Sequence, residues 1–390
     1  MSRTFNLETY TKFLIGNGNR YSGVEVSKAL SHTNDAPARD SISRWLTEQT
    51  FKPSDLWKRV EPRAHMKSSL IIDDTVLDKH WSPNNELVAF HWSGNERRII
   101  RGISLVNLLA THADECLPAD YRVYEEKKGK KNKNGHAISM LEDAKKRGFE
   151  PDYCIADSWH SSLENMKLVV KLEWKFIFGL KENRLVNEAQ GHYIPVNALN
   201  WTKKQVRKVW LKGFGFVIVA QIVFKNGDIR YVRANDLTLT ECETFSHHSK
   251  KRWTIEEFHR GIKQTTGIEK RHSTKKRSQL THIFACFVVF VKLEFERLKT
   301  GMSWHAQKAQ QIRLGISSVF AWVLYEYDPR SVFDVGSVAV DFVYPPEQKA
   351  EEEAADNDKI RGKRILQRDS LIEAYHALVD HLTRETWPTA

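Results

Sequence analysis

The sequence predicts an α/β protein, a mixed sheet with flanking helices, and three stretches carry that expectation. Leu70-Ile71-Ile72-Asp73-Asp74-Thr75 and Tyr153-Cys154-Ile155-Ala156-Asp157-Ser158 are each an apolar run that ends abruptly in aspartate. That is the pattern of a buried strand delivering a carboxylate at its end. The third stretch, residues 252–263, reads with helical period: Arg252, Glu256, Arg260 and Lys263 share one face, and Ile255, Phe258 and Ile262 form an apolar stripe on another. One carboxylate therefore stands in a ladder of cations on a helix anchored from behind. Taken alone, such a face is more often that of a solvated helix with i,i+4 ion pairs, and it is the two aspartate-ended strands that overturn this.

The order of elements supports the same class. Residues 1–62 read as short helices, with a capping-box pattern at Ser22-Gly23-Val24-Glu25 and a break at Asn34-Asp35-Ala36-Pro37. A helix, a turn and a second helix are compatible with a helix-turn-helix DNA reader, and equally with a helical packing domain. From residue 63 to 184 the periodicity changes. Strands are expected at 70–73, 99–109 and around 121–124, then a helix at 137–147, a strand at 153–157, a helix at 161–172 and a strand at 174–180. Strands first and then alternation with helices describes a mixed sheet with helices on it. Residues 185–247 read as a β-rich insertion, with a hairpin turn at Lys225-Asn226-Gly227-Asp228. Residues 248–345 return to the core with the Glu256 helix and a strongly apolar helix at 279–298, and 346–390 hold an acidic linker and a last amphipathic helix.

Composition narrows the partners. The chain has 390 residues, 28% of them charged, and no unbroken apolar run of membrane-spanning length. The N-terminal residues lack the apolar core of a secretory signal. Four scattered cysteines with no C-x-x-C pair suit reduced thiols and argue against structural zinc. These features lead to the expectation of a cytoplasmic protein with no membrane partner. Sixty Lys and Arg against 49 Asp and Glu give a net charge of +11, which points towards a polyanion, most simply nucleic acid. Cations crowd 127–133 and recur at 250–252 and 270–277, whereas acid concentrates at 351–353.

Three carboxylates, Asp73, Asp157 and Glu256, come from separate elements that a mixed sheet can bring together. Clustered acids repel unless a cation neutralises them, and oxygen donors suit Mg²⁺ or Mn²⁺ rather than zinc. Two such ions about 3.5–4 Å apart serve phosphodiester chemistry without an obligatory lysine or histidine base. Adjacent residues of a strand face opposite sides, so Asp73 and Asp74 compete for the first position. His247, His248, His259 and His272 fit no zinc spacing and read as surface or DNA-proximal side chains. Trp210 and Phe214 in the insertion are candidates for stacking on a flipped base, with core packing as the commoner alternative.

These residues resemble an insertion-sequence DDE transposase, of the bacterial cut-and-paste class with the Tyr-x2-Arg-x3-Glu-x6-Lys signature. Asp73-Asp74-Thr75 resembles the first-aspartate D-x-T motif and favours Asp73 over Asp74, and Ala156-Asp157-Ser158-Trp159 resembles the second-aspartate strand. The stretch from Phe178 to Arg184 resembles the next strand and its basic exit. Arg252, Glu256 and Lys263 match the signature's Arg, Glu and Lys, whereas its tyrosine position is Ser249 here. The resemblance, over about residues 65–300, implies a ribonuclease-H-like core with a β-rich insertion before the glutamate. It implies that Asp73, Asp157 and Glu256 are the catalytic and metal-holding acids for two Mg²⁺ or Mn²⁺ ions. Arg252 and Lys263 would contact DNA phosphates. The implied partners are the double-stranded DNA of transposon ends and target, and a second copy of the chain on paired ends, in a bacterial nucleoid. A metal nuclease without strand transfer, and a catalytically silent DNA-binding descendant, remain alternatives.

Overall fold

In a computed structural model of the protein, the described residues are 5–327, except 19–20, 32–36, 83, 95, 126–130, 189–191 and 202–205. Four helices come first: α1 (Leu7–Gly16), α2 (Gly23–Ala29), α3 (Arg39–Glu48) and α4 (Pro53–Val60). Asn6 and Ser22 cap α1 and α2 by accepting from the Thr9 and Glu25 amides, which satisfies donors the first turn leaves unpaired. Strands β1 (Ser69–Asp78), β2 (Ala89–Ser93), β3 (Arg98–Thr111) and β4 (Leu117–Tyr124) follow. Next come α5 (Lys133–Lys146), β5 (Cys154–Ala156), α6 (Leu163–Lys171) and β6 (Phe176–Leu180). The short strand β2 has no counterpart among the strands expected from the sequence. Its Phe90 and Trp92 are exposed, so it lacks the buried run that marks β1 or β3.

The sheet is mixed. β3 pairs antiparallel with β1, β2 and β4, whereas β5 runs parallel to β1, and β6 parallel to β5. Strands β7 (Leu185–Asn187), β8 (Ile194–Pro195), β9 (Val206–Leu211), β10 (Gly215–Val223) and β11 (Ile229–Ala234) make up the β-rich stretch. They do not form a sheet of their own. β11 pairs antiparallel with β6, and the order continues β11-β10-β9-β7-β8. The insertion thereby covers the edge β6 would otherwise expose. The hairpin expected at 225–228 joins β10 to β11, with Gly227 at φ +87°.

Four helices close the described chain: α7 (Cys242–Lys251), α8 (Trp253–Thr266), α9 (Lys276–Thr300) and α10 (Trp304–Tyr327). Helix α9 is the centre of the packing. By length and composition it would cross a membrane, yet 83% of its apolar window is buried. Against it lie α1, α3, α4, α8 and β4. Tyr10, Leu14, Ile42, Leu46, Leu56 and Val60 are all fully buried in that core. Helices of 1–62 are thus built into one compact unit that runs from Met1 to Lys308. A second unit covers Ala309–Ala390; the acidic linker and last helix expected at 346–390 lie outside the described residues.

Candidate active site

Strand register sets the first two acids side by side. In the parallel pair β1/β5 the last partners are Ile72 and Ala156. Asp73 and Asp157 each follow one residue later, at the carboxyl end of β5, where open α/β sheets build their sites. Glu256 comes from the first turn of α8, which packs on β1 and α9 through the buried Ile255, Phe258 and Ile262. The five residues singled out from the sequence (Asp73, Asp157, Arg252, Glu256 and Lys263) all line one cleft of about 1120 Å³.

Asp73 and Asp74 take different environments. Asp73 is pushed well above the ordinary carboxylate range by burial and then by the charges of Asp157, Glu256 and Asp74; Arg252, 3.8 Å away, opposes this. Asp74, on the same cleft wall, is instead engaged by the Nζ of Lys133 and by His160, whose Nε2 donates to its Oδ1 at 3.2 Å. Burial alone would raise Asp74, but the hydrogen bond from His160 and the charge of Lys133 outweigh it and bring the carboxyl down to about 2. Asp74 is therefore already neutralised by protein groups. Asp73 is left among like charges.

The loop after β5 holds Asp157. Its Oδ1 accepts the backbone amides of Trp159 and His160, both at 2.9 Å. Gly179 on β6 lies so close behind that an added Cβ would come within 2.6 Å of the Ser158 nitrogen. From β11, the buried Arg233 donates to the Ser161 carbonyl at 2.6 Å, and Ser161 Oγ donates to the Gly179 carbonyl at 2.7 Å. The insertion strand thus helps hold the Asp157 loop.

Helix α8 is tied to β1 along its length. Arg252 donates to Glu256 at 3.2 Å, and Lys263 donates to the Val76 carbonyl of β1 at 2.7 Å and pairs with Glu269 at 3.3 Å. Beyond the helix end, the buried Lys79 donates to the carbonyls of Ile268, Glu269 and Arg271. Gly267 ends the helix with φ +71°, its face closed by Tyr21, which is the usual left-handed termination.

Two histidines belong to the site that the sequence reading left out of it. His259 is 5% exposed, with Asn107 Nδ2 2.9 Å from its Nε2. Burial first, then Lys263, lowers its pKa to about 3, so the ring is neutral. Of the two expectations, surface or DNA-proximal, the surface one is corrected for His259: three residues beyond Glu256 on a helix, it turns inward with it. His160 is fully buried, and the helical or turn spacing of three from Asp157 is the only trace it leaves in the sequence. Trp210 and Phe214 are absent from the cleft walls. Phe214 packs edge-on to Phe176 in the core, and Trp210 packs on Phe216 at 5.0 Å on an outer face of the sheet. Aromatic rings do line the cleft, but they are Phe90, Trp92, Tyr124, Trp159, Trp253 and, from the insertion strand β11, Tyr231.

The donor set fits a divalent ion. Among the described residues, two groups bring ligand atoms within 4.8 Å of one another: Asp73 with Asp74 and His160, and Asp73 with Glu256 and His259. Asp157 lines the same cleft but belongs to neither group. Asn107 Oδ1, buried beside His259, has no hydrogen-bond partner among the described residues. Residues 65–291, more than half of the chain, match the family described as the transposase DDE domain, and the chain belongs to that family. Among solved structures, the Drosophila P element transposase strand transfer complex is similar at 10% identity over 50% of this chain, with a TM-score of 0.28. The match spans 48% of that chain, about half its length, and so slight a likeness bears no weight. No curated protein matches.

Proposed function

We propose that this protein is a DNA transposase with a ribonuclease-H-like core that binds terminal inverted repeats, cuts DNA at the element boundary and joins the freed 3′-hydroxyl to target DNA. The observation that carries the reading is the convergence of Asp73, Asp157 and Glu256, from β1, the loop after β5 and α8, on one cleft. Asp73 and Asp157 would hold two Mg²⁺ or Mn²⁺ ions, with Glu256 completing the set. Bound there, such ions supply an activated oxygen nucleophile and charge stabilisation for the leaving oxygen. The chain's own residues do the positioning. Register keeps Asp73 level with Asp157, and the Lys79 and Lys263 contacts hold α8 against β1. Arg252 and Lys263 flank Glu256 on the cleft wall, suited to phosphates rather than to bases. The helices of 1–62 would add DNA contacts, and two protomers would pair the ends in the nucleoid of a bacterial cytoplasm.

Purified protein incubated with DNA carrying the element's own ends tests the reading. Mg²⁺-dependent cuts at the boundaries are expected, lost with EDTA and in Glu256→Gln, with strand-transfer products appearing when target DNA is added. End binding without any cutting by the native protein would rule the catalytic reading out. Cutting without joined products would leave a nuclease.

A further inference from the structure

The buried pair His259–Asn107 has no part in the three-acid scheme, yet its imidazole lines the acid cleft. A ring nitrogen of His259 is within 4.8 Å of carboxylate oxygens of both Asp73 and Glu256. Glu256 and His259 are three residues apart on α8 and so face the same way. Asn107 is the direct antiparallel partner of Asp73 across β3 and β1, which puts both side chains on one face of the sheet. From there its amide reaches His259 Nε2 at 2.9 Å, and its other end finds no partner among the described residues. Turned so that its unpartnered Oδ1 faces the ring, this amide accepts the Nε2–H, fixes the imidazole's orientation and leaves Nδ1 bare to ligate. That is what groups behind a ligating histidine do. A helix presenting Glu-x-x-His inward is also a known way of offering one oxygen and one nitrogen to the same ion.

We propose that His259 donates a ring nitrogen to the divalent ion shared by Asp73 and Glu256, and that Asn107 is the positioning residue that orients it. This rests on the metal-dependent reading above and changes one part of it: the donor set is mixed nitrogen and oxygen. A borderline imidazole donor favours Mn²⁺ over Mg²⁺ beyond what carboxylates alone would do.

The test uses the full chain and Mn²⁺ alone, with pulsed electron paramagnetic resonance reading nitrogen nuclei bound to the ion. Native protein is expected to show ¹⁴N modulation that converts to the ¹⁵N pattern when only histidine is ¹⁵N-labelled, a result that needs no variant to fold. In His259→Gln the modulation should vanish while Mn²⁺ still binds, about tenfold more weakly. Mn²⁺ binding that Asp73→Asn abolishes, but with no nitrogen coupling in the native protein, overturns the proposal and leaves the metal reading intact. Coupling that survives in His259→Gln also overturns it, because His160 is then the donor. If no Mn²⁺ binding depends on Asp73, the metal reading fails and the proposal falls with it.

Discussion

At the scale of single residues, two adjacent aspartates on one strand have opposite relations to stability. Asp74 is stabilised by Lys133 and His160, with its pKa at about 2 against an ordinary 3.8. Its contribution is present above the ordinary value and is lost as pH falls towards 2, on the order of 2 kcal/mol in full. Asp74→Asn should therefore lower the melting temperature at pH 6 by several degrees, with a smaller difference at pH 3. Asp73 has the reverse sign. Its raised pKa means the folded state is penalised increasingly as pH rises past the ordinary carboxylate value. Asp73→Asn should leave the protein as stable as before or more so at neutral pH, while DNA cleavage is abolished. Thermal melts of the two variants beside a cleavage assay check both outcomes, and a strongly destabilised Asp73→Asn would contradict the electrostatic account.

At the scale of elements, the site depends on two seams. One is between β6 and the Asp157 loop, where Gly179 leaves room for nothing larger. Gly179→Ala would force its Cβ against backbone at Ser158 and Asp157, and backbone yields less readily than a side-chain tip. Activity should drop at least tenfold while circular dichroism keeps its native form, since a small misplacement of a catalytic group is expensive. The second seam joins α8 to the end of β1 through Lys79. Lys79→Met removes a donor from three carbonyls, leaving them buried and short of partners. A loss of about 1–3 kcal/mol in denaturant unfolding is expected, with the Glu256 helix loosened first in hydrogen exchange.

At the scale of the whole molecule, the electrostatics couple folding to ligand binding. Clustered acids in the cleft are relieved by a divalent ion, so Mg²⁺ or Mn²⁺ should raise the melting temperature of the native protein and not that of Asp73→Asn. The chain as a whole carries an excess of 11 positive charges. Affinity for DNA ends should accordingly fall steeply with salt, in a log–log plot whose slope counts the phosphates neutralised. A flat salt dependence would mean that the surface charge is not a DNA footprint.

Much of this was already legible in the residues, and the reason is local. Apolar runs ending at Asp73 and Asp157, and the helical face through Arg252, Glu256 and Lys263, are short-range patterns that secondary-structure periodicity makes visible. Other decisions depended on distant partners. Which of Asp73 and Asp74 faces Glu256 rests on where Lys133 and His160 stand, 59 and 86 residues away in sequence from Asp74. That the β-rich stretch continues the main sheet rests on pairing between β6 and β11, and Trp210 lies on an outer face because of the register that pairing imposes. His259 looked like one polar residue among several on a charged helix. It is part of the cleft because Asn107 lies opposite Asp73 in register, and such long-range contacts leave no periodic trace in a chain. Residue order dictates which acids are available and on what kind of element; packing between distant segments dictates which of them meet.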